Sequence, residues 1–252
     1  MYQPGDKLCP VSFIRLGVRC GYDDSMAARM RAELSTFTAL GGTHTCGYAD
    51  LRQNELFRTV AFRALRMQGA VRKIQNSCIM GTGPMYPSCC MPYFVPANTK
   101  YATLEFVSSM HDNKELHLEH LHHMMQRLLA QRIRLVVVNI IPSDPDGSLT
   151  RTATDVATIA WELGVRVLTF DHKTNETLWN TPSRLNVAGH SMIGQSAAAT
   201  LLLPRQIGRK SLRRNAAAYI KAEAACSASR ARDLLPKIAR TLPNCNGSST
   251  LI

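Results

Sequence analysis

The stretch from Ile133 to Ile141, IRLVVVNII, constrains this chain more than any other. Its residues are almost all β-branched or leucine, which suits a pleated strand. The lack of alternation between polar and apolar positions means that both faces of that strand are covered. Its flanks extend the pattern. KYATLEFVSS (100–109) reads as a half-buried strand with Leu104 and Phe106 on one face. DNKELHLEHLHHMMQRLLAQR then reads as an amphipathic helix, with Asp112 or Asn113 as N-cap and Glu115 in the first turn. Leu118, Leu121, Met124, Met125, Leu128 and Leu129 recur in it at helical spacing.

Beyond the central run, PSDPDG is a turn and LTRTATDVATIAWELG a second helix, stopped by Gly164. VRVLTFDH is a third strand, and SRLNVAG (183–189) adds a short edge strand. The expected fold class is therefore α/β: a βαβαββ two-layer sandwich over residues 99–190, its parallel strands joined by right-handed crossovers. Helical basic extensions flank it at 1–98 and 191–252. In the first of these, SMAARMRAELSTFTAL and LRQNELFRTVAFRALRMQGAVRKI read as helices separated by GGTHTCGYAD, and GTGPMYPSCCMPYFVP reads as a linker. In the second, MIGQSAAATLLL reads as a helix ending before Pro204, followed by a basic helical tail with a loose end.

Charge separates these regions. The chain has 252 residues and a formal net charge of +12. Residues 1–98 hold 11 basic against 6 acidic side chains, residues 99–190 hold 9 against 10, and residues 191–252 hold 10 against 2. A near-neutral middle with basic flanks suits a folded core held on a polyanion. No window has the eighteen or so apolar residues of a membrane helix, and Pro4, Asp6, Lys7 and Pro10 break up any secretory signal. Arg15, Arg19, Arg29 and Arg31 fit a mitochondrial presequence, interrupted by Asp23 and Asp24. The eight cysteines include no C-x-x-C pair, so reduced thiols in a reducing compartment are expected rather than a zinc site.

Four short patterns invite chemistry. VAGHSMIGQS (187–196) is close to the G-x-S-x-G turn of serine hydrolases, but its second glycine comes one residue late and no histidine follows His190. Ser191 is therefore expected to be an N-cap, with no nucleophilic role. His117, His120, His122 and His123 do not share one helix face or form H-E-x-x-H, and read as a solvated face. GTGP (81–84) is too short for a dinucleotide loop. The aspartates of DPDG (144–147) are what a turn wants. No catalytic residue, metal site or cofactor is expected from these patterns.

From Lys100 to about Ala188, YATLEFVSSMHDNKEL, HLHHMMQRLLAQRIRLVVV and DVATIAWELGVRVLTF resemble in order and spacing the carboxy-terminal domain of translation initiation factor 3, organellar type. YPSCCMPYF is similar to the P-P-V-C segment before that family's interdomain linker. The resemblance implies a non-enzymatic mitochondrial matrix protein that binds small-subunit rRNA beside neighbouring ribosomal proteins and the initiator tRNA. It would prevent premature subunit joining. By position, its helical RNA-binding face falls at His122 and Gln126, with Arg127, Arg132 and Arg134 nearby. IIPSDPDG is acidic where the family has a basic turn, so the tail would compensate. The candidate RNA-binding set is Lys100, His122, Arg127, Arg132, Arg134, Arg151, Lys173, Arg184, Arg205, Arg209, Lys210, Arg213 and Arg214. The alternative is a structural mitochondrial ribosomal protein or a small-subunit assembly factor on the same fold. A third reading, an RNA methyltransferase, rests on the likeness of SRLNVAG to the S-L-N-V-S loop of knotted methyltransferases.

Overall fold

The computed structural model describes residues 35–48, 50–110 and 114–204. The run read as a doubly covered strand is β4 (Arg134–Ile141), inside a five-stranded sheet whose neighbours are all parallel. The other strands are β1 (Thr36–Gly41), β2 (Lys73–Cys78), β3 (Thr99–Glu105) and β5 (Arg166–Asp171), and the order is β2-β1-β3-β4-β5.

Helices cover both faces. On one side α5 (Lys114–Ala130) and α6 (Ser148–Glu162) bury Leu121, Met124, Leu128 and Val156 against Leu104, Val137 and Ile141. On the other, α2 (Phe57–Met67) and α7 (Val187–Leu202) bury Phe57, Leu65, Ile193 and Ala197 against Phe37, Val136, Val138 and Ile140. The period of two along β4 sends Val136, Val138 and Ile140 to one layer and Val137 and Ile141 to the other. Asn139, buried on the α6 side, donates from Nδ2 to the carbonyl of Ala153 at 3.1 Å.

Three short helices complete the first half: α1 (Thr43–Cys46), α3 (Met85–Cys89) and α4 (Met91–Phe94). The stretch read as a linker thus carries two helical turns. A two-stranded ribbon, β6 (Trp179–Thr181) with β7 (Arg184–Leu185), lies between β5 and α7 in the chain. Cys46 and Cys78 form a disulfide, where thiols were expected.

Several sequence expectations change here. Residues 36–40, read as the end of a helix, are β1, and every residue of that strand is buried, so no polar face betrays its period. The fold has three layers, a sheet between two layers of helices, where two were expected, and the sheet begins well before residue 99. SRLNVAG is not an edge strand of this sheet, because only Arg184 and Leu185 are extended and they pair with β6. The helix after it starts at Val187, with Asn186 as the cap: its Oδ1 accepts from the Gly189 N–H at 2.8 Å. Ser191 is the fifth residue of α7, and its Oγ lies 3.4 Å from Gln195 Nε2. It is neither the N-cap nor a nucleophile on a strand-to-helix turn. The caps proposed at Asp112 and Asn113, and the basic tail from Arg205, lie outside the described residues.

Gly194, the late glycine of the serine-hydrolase pattern, has a packing role instead. A Cβ there would sit 2.6 Å from the Phe57 carbonyl oxygen and 2.6 Å from Val60 Cβ, so α2 and α7 approach closely only without one. Gly194→Ala is expected to destabilise the protein by roughly 1–3 kcal/mol through overpacking. Denaturant midpoints of this variant against Ser196→Ala, on the same helix, provide the check, and equal midpoints would contradict close helix packing.

Candidate functional site

The strand order dictates where a crevice opens. The chain leaves β1 for β2 on one side and β3 for β4 on the other, so the loops beyond the carboxyl ends of β1 and β3 diverge. Gly41 and Gly42 end β1. A Cβ on Gly41 would overlap Thr45 Oγ1 and stand 2.6 Å from the Glu105 carbonyl oxygen, and one on Gly42 would overlap Ser109 Oγ. Two glycines thus let the β1 and β3 loops touch, and the Gly42 N–H donates to the Glu105 carbonyl at 2.9 Å.

Glu105, the last residue of β3, is fully buried. Its Oε2 accepts from the Thr45 N–H at 3.0 Å and from Thr45 Oγ1 at 2.9 Å, and its Oε1 accepts from Ser108 Oγ at 3.1 Å. Burial pushes its pKa up to about 7, further than the hydrogen bonds from Thr45, Ser108 and Gly42 pull it down. Ser108 is half-buried, so this carboxyl reaches the crevice through a serine hydroxyl. Beside it Ser109 Oγ is buried without a hydrogen-bond partner, and Thr43, half-buried, begins α1.

The far side of Thr45 is held by Arg58 of α2. This buried guanidinium donates to the carbonyls of Thr45 and Cys46, the latter at 2.9 Å, and to Gln53 Oε1. Burial lowers its pKa to about 10, which leaves it charged at neutral pH.

Two histidines lie in the same region and both are kept neutral. His44 is buried edge-on to Tyr48 and Trp179, and burial, then His190, lowers its pKa to about 3. Nδ1 of His190 accepts from the Phe57 N–H at 3.2 Å, and its ring stacks on Phe57. It therefore satisfies the first amide of α2, whose own N-cap, Leu56, has no side-chain acceptor. Burial, then Arg58, lowers its pKa to about 4.

The β6–β7 ribbon spans this crevice. Its connecting residues bond to the loop after β4, where the Ser143 N–H donates to the Pro182 carbonyl at 2.7 Å, and to the loop after β1, where Tyr48 Oη donates to the Ser183 carbonyl at 3.1 Å. Because β3 lies between β1 and β4, Pro182 and Ser183 tie together the loops after the strands on either side of it. A neighbouring hollow of about 180 Å³ is lined by Met110, Lys114, Ser148, Leu149, Arg151 and Thr152. Asp144 is structural, as its turn implied: its carboxylate accepts from the amides of Leu149 and Thr150 at the start of α6. Among the described residues no group of three or more histidine, cysteine or acidic side chains could hold a metal ion, and no helix is long and apolar enough to cross a membrane.

The structure scatters the basic residues proposed to hold RNA. Lys100, Arg132 and Arg134 lie at the amino edge of the sheet, where Arg134 packs over Tyr101. Arg151, Lys173 and Arg184 lie at the carboxyl edge. His122 and Arg127 are on α5, His122 beside Gln126 and Arg127 donating to the Ser88 carbonyl. Arg205, Arg209, Lys210, Arg213 and Arg214 lie outside the described residues. Among the described members of this set, Arg184 reaches the crevice and Arg151 lines the neighbouring hollow. Glu105, Ser108, Thr45 and Arg58 were not anticipated. The available signal was an acid inside the strand pattern of KYATLEFVSS and twin glycines closing TFTALGG.

No protein-family model and no curated protein sequence matches the chain. Solved structures do. A protein described as lipolytic, of the G-D-S-L family, from Desulfitobacterium hafniense aligns with a TM-score of 0.57 at 14% identity, covering 66% of this chain and 98% of that one. An acetylxylan esterase from Geobacillus stearothermophilus, solved as a serine-to-alanine catalytic mutant, aligns with a TM-score of 0.54 at 13% identity over 69% of this chain and 97% of that one. A histidine-to-alanine catalytic mutant of the same enzyme gives 0.53. A two-domain esterase active on acetylated mannans gives 0.58 at 14% identity, and this chain covers 54% of its length. At such identity the likeness is one of fold.

These findings overturn the resemblance to translation initiation factor 3. With it go the ribosomal, rRNA-binding and assembly readings, the methyltransferase alternative and the expectation of a non-enzymatic protein. The matched spacing from Lys100 to Ala188 is the generic rhythm of strand and helix in a parallel sheet. The sheet here also includes β1 and β2, which that resemblance left out, and its fold is like that of the esterases and lipolytic protein above.

The position of Glu105 has a pH signature. Its folded pKa lies above its ordinary value of 4.5, so its contribution to stability is complete below about pH 4.5 and is lost as pH rises through about 7. Glu105→Gln is expected to match the wild type near pH 4.5 and to exceed it by about 2–3 kcal/mol above pH 8. His44 and His190 are common to both proteins and cancel in the difference. Paired denaturant titrations across this range check it, and a difference independent of pH would contradict the buried, proton-binding carboxyl.

Proposed function

We propose that this protein hydrolyses an ester in the crevice beyond β1 and β3, with Ser108 as nucleophile and Glu105 as general base. The observation that carries the reading is the 3.1 Å hydrogen bond from the half-buried Ser108 hydroxyl to a carboxyl group that burial holds near neutrality. A serine needs a base within hydrogen-bond reach, and a base is most effective when its pKa lies near the working pH. Glu105 meets both conditions. The fold shared with an acetylxylan esterase and a mannan-active esterase supports the reaction class.

In this scheme Glu105 takes the Ser108 proton as Oγ attacks the ester carbonyl carbon. It then returns that proton to the departing alcohol, leaving an acyl-serine. Water, deprotonated by Glu105, releases the acid and restores Ser108. One solved esterase of this fold has a histidine whose replacement by alanine makes a catalytic mutant. Here His44 and His190 are enclosed and occupied with packing and with the Phe57 amide.

Turnover of p-nitrophenyl acetate by the purified chain tests the proposal. Ser108→Ala and Glu105→Gln are each expected to lower kcat by about 10²–10⁴-fold. The wild-type rate should rise with pH through about 7 as Glu105 ionises. Thr43→Val serves as the comparison, because Thr43 is likewise a half-buried hydroxyl just beyond a strand end. Undiminished turnover by Ser108→Ala would refute the assignment of the nucleophile, and loss in Thr43→Val alone would move it to α1.

A further inference from the structure

Tyr48 and Arg184 form a unit that the hydrolytic scheme does not use. Tyr48 is fixed on two sides: its hydroxyl donates to the Ser183 carbonyl, and its ring meets the edge of His44. The Arg184 guanidinium lies over that ring, 5.0 Å from its centre. Arg184 is exposed, and among the described residues no carboxylate stands within ion-pair distance of it and no acceptor takes its N–H groups. Three other basic side chains near this edge are engaged: Arg58 on the α1 carbonyls, Arg151 on the Asp146 carbonyl and Lys114 on Asp155. A ring beneath a guanidinium fixes its plane while leaving its edge donors open, and those donors match an oxyanion in pairs.

Location gives this cation a purpose. Pro182 and Ser183 tie together the loops after β1 and β4, the strands on either side of β3, and Glu105 ends β3 with Ser108 in the 3-10 turn that follows. Tyr48 feels the charge of both Glu105 and Arg184, so the three groups share one neighbourhood. Asp50 also acts on Tyr48, but it does not pair with Arg184. We propose that Arg184, seated on Tyr48, is the specificity-determining residue of this crevice and binds an oxyanion on the substrate. Esters carrying a carboxylate or phosphate are then preferred over neutral ones. The word substrate rests on the hydrolase reading, whereas the anion site stands on its own geometry.

The test separates the two. Succinamate and inorganic phosphate, neither of which can be hydrolysed as an ester, are titrated calorimetrically into the full chain at low salt, with neutral succinamide as control. Binding of either anion is expected, weakened about tenfold by Arg184→Gln, partly retained by Arg184→Lys and diminished by added salt. Which anion binds more tightly identifies the oxyanion. Equal binding to wild type and Arg184→Gln, equal binding of succinamide, or no binding of either anion would overturn the inference. With turnover in hand, the p-nitrophenyl monoester of succinic acid should exceed p-nitrophenyl acetate in kcat/KM, and Arg184→Gln should remove that advantage through KM. No turnover of any ester, with anion binding intact, would fail the hydrolase reading alone.

Discussion

One residue of α1, Thr45, is gripped from both sides. The carboxyl of Glu105 takes the amide and hydroxyl of Thr45, and the guanidinium of Arg58 takes its carbonyl. Each gripping group is buried and comes from a different layer, one from the central sheet and one from the α2 face. Burying an arginine and a glutamate is costly unless their hydrogen-bonding groups are met, and Thr45, Cys46, Gln53 and Ser108 largely meet them. The position of the β1 loop, the glycines that admit it and the exposure of Ser108 all follow from that grip. So does a conflict: the proton that Glu105 must give up to act as a base is the one that makes its burial tolerable. In the proposed hydrolysis, the pH rise that ionises Glu105 for its role as base also removes its contribution to stability.

Legibility in the sequence followed the physical distinctness of each element. β3, α5, β4, α6 and β5 could be read because two amphipathic helices alternate with apolar strands. β1 could not. TFTALG has threonines and an alanine in place of a valine run, it is buried at every position, and it follows residues rich in alanine, methionine and arginine that favour a helix. Missing that strand removed the switch point, and with it the site. The later turn to a ribosomal resemblance had the same root, because the remaining three strands fit many α/β folds equally well.

The site itself was concealed in a different way. Ser191 attracted attention because its neighbours spelled a near-motif, yet its glycines serve helix packing and its histidine caps another helix. Ser108 and Glu105 are three residues apart and match no motif. Their relation depends on a strand ending in a 3-10 turn, with the acid pointing back into the protein, which spacing alone does not reveal. Tyr48 and Arg184 are separated by most of the chain, and only the β6–β7 ribbon brings them together.

The disulfide between Cys46, the last residue of α1, and Cys78 closes a ring of chain that contains α2 and the whole of β2. β2 is an edge strand, paired on one side only and largely exposed, the kind of element that frays first. Joined at its carboxyl end to the helix that follows β1, it cannot drift far even when its hydrogen bonds open. A ring spanning 32 residues also removes on the order of 3–4 kcal/mol of freedom from the unfolded chain. The bond holds the margin of the sheet and the floor of the crevice as one body, so the oxidation state of two sulfurs sets how firmly the Thr45 loop is anchored.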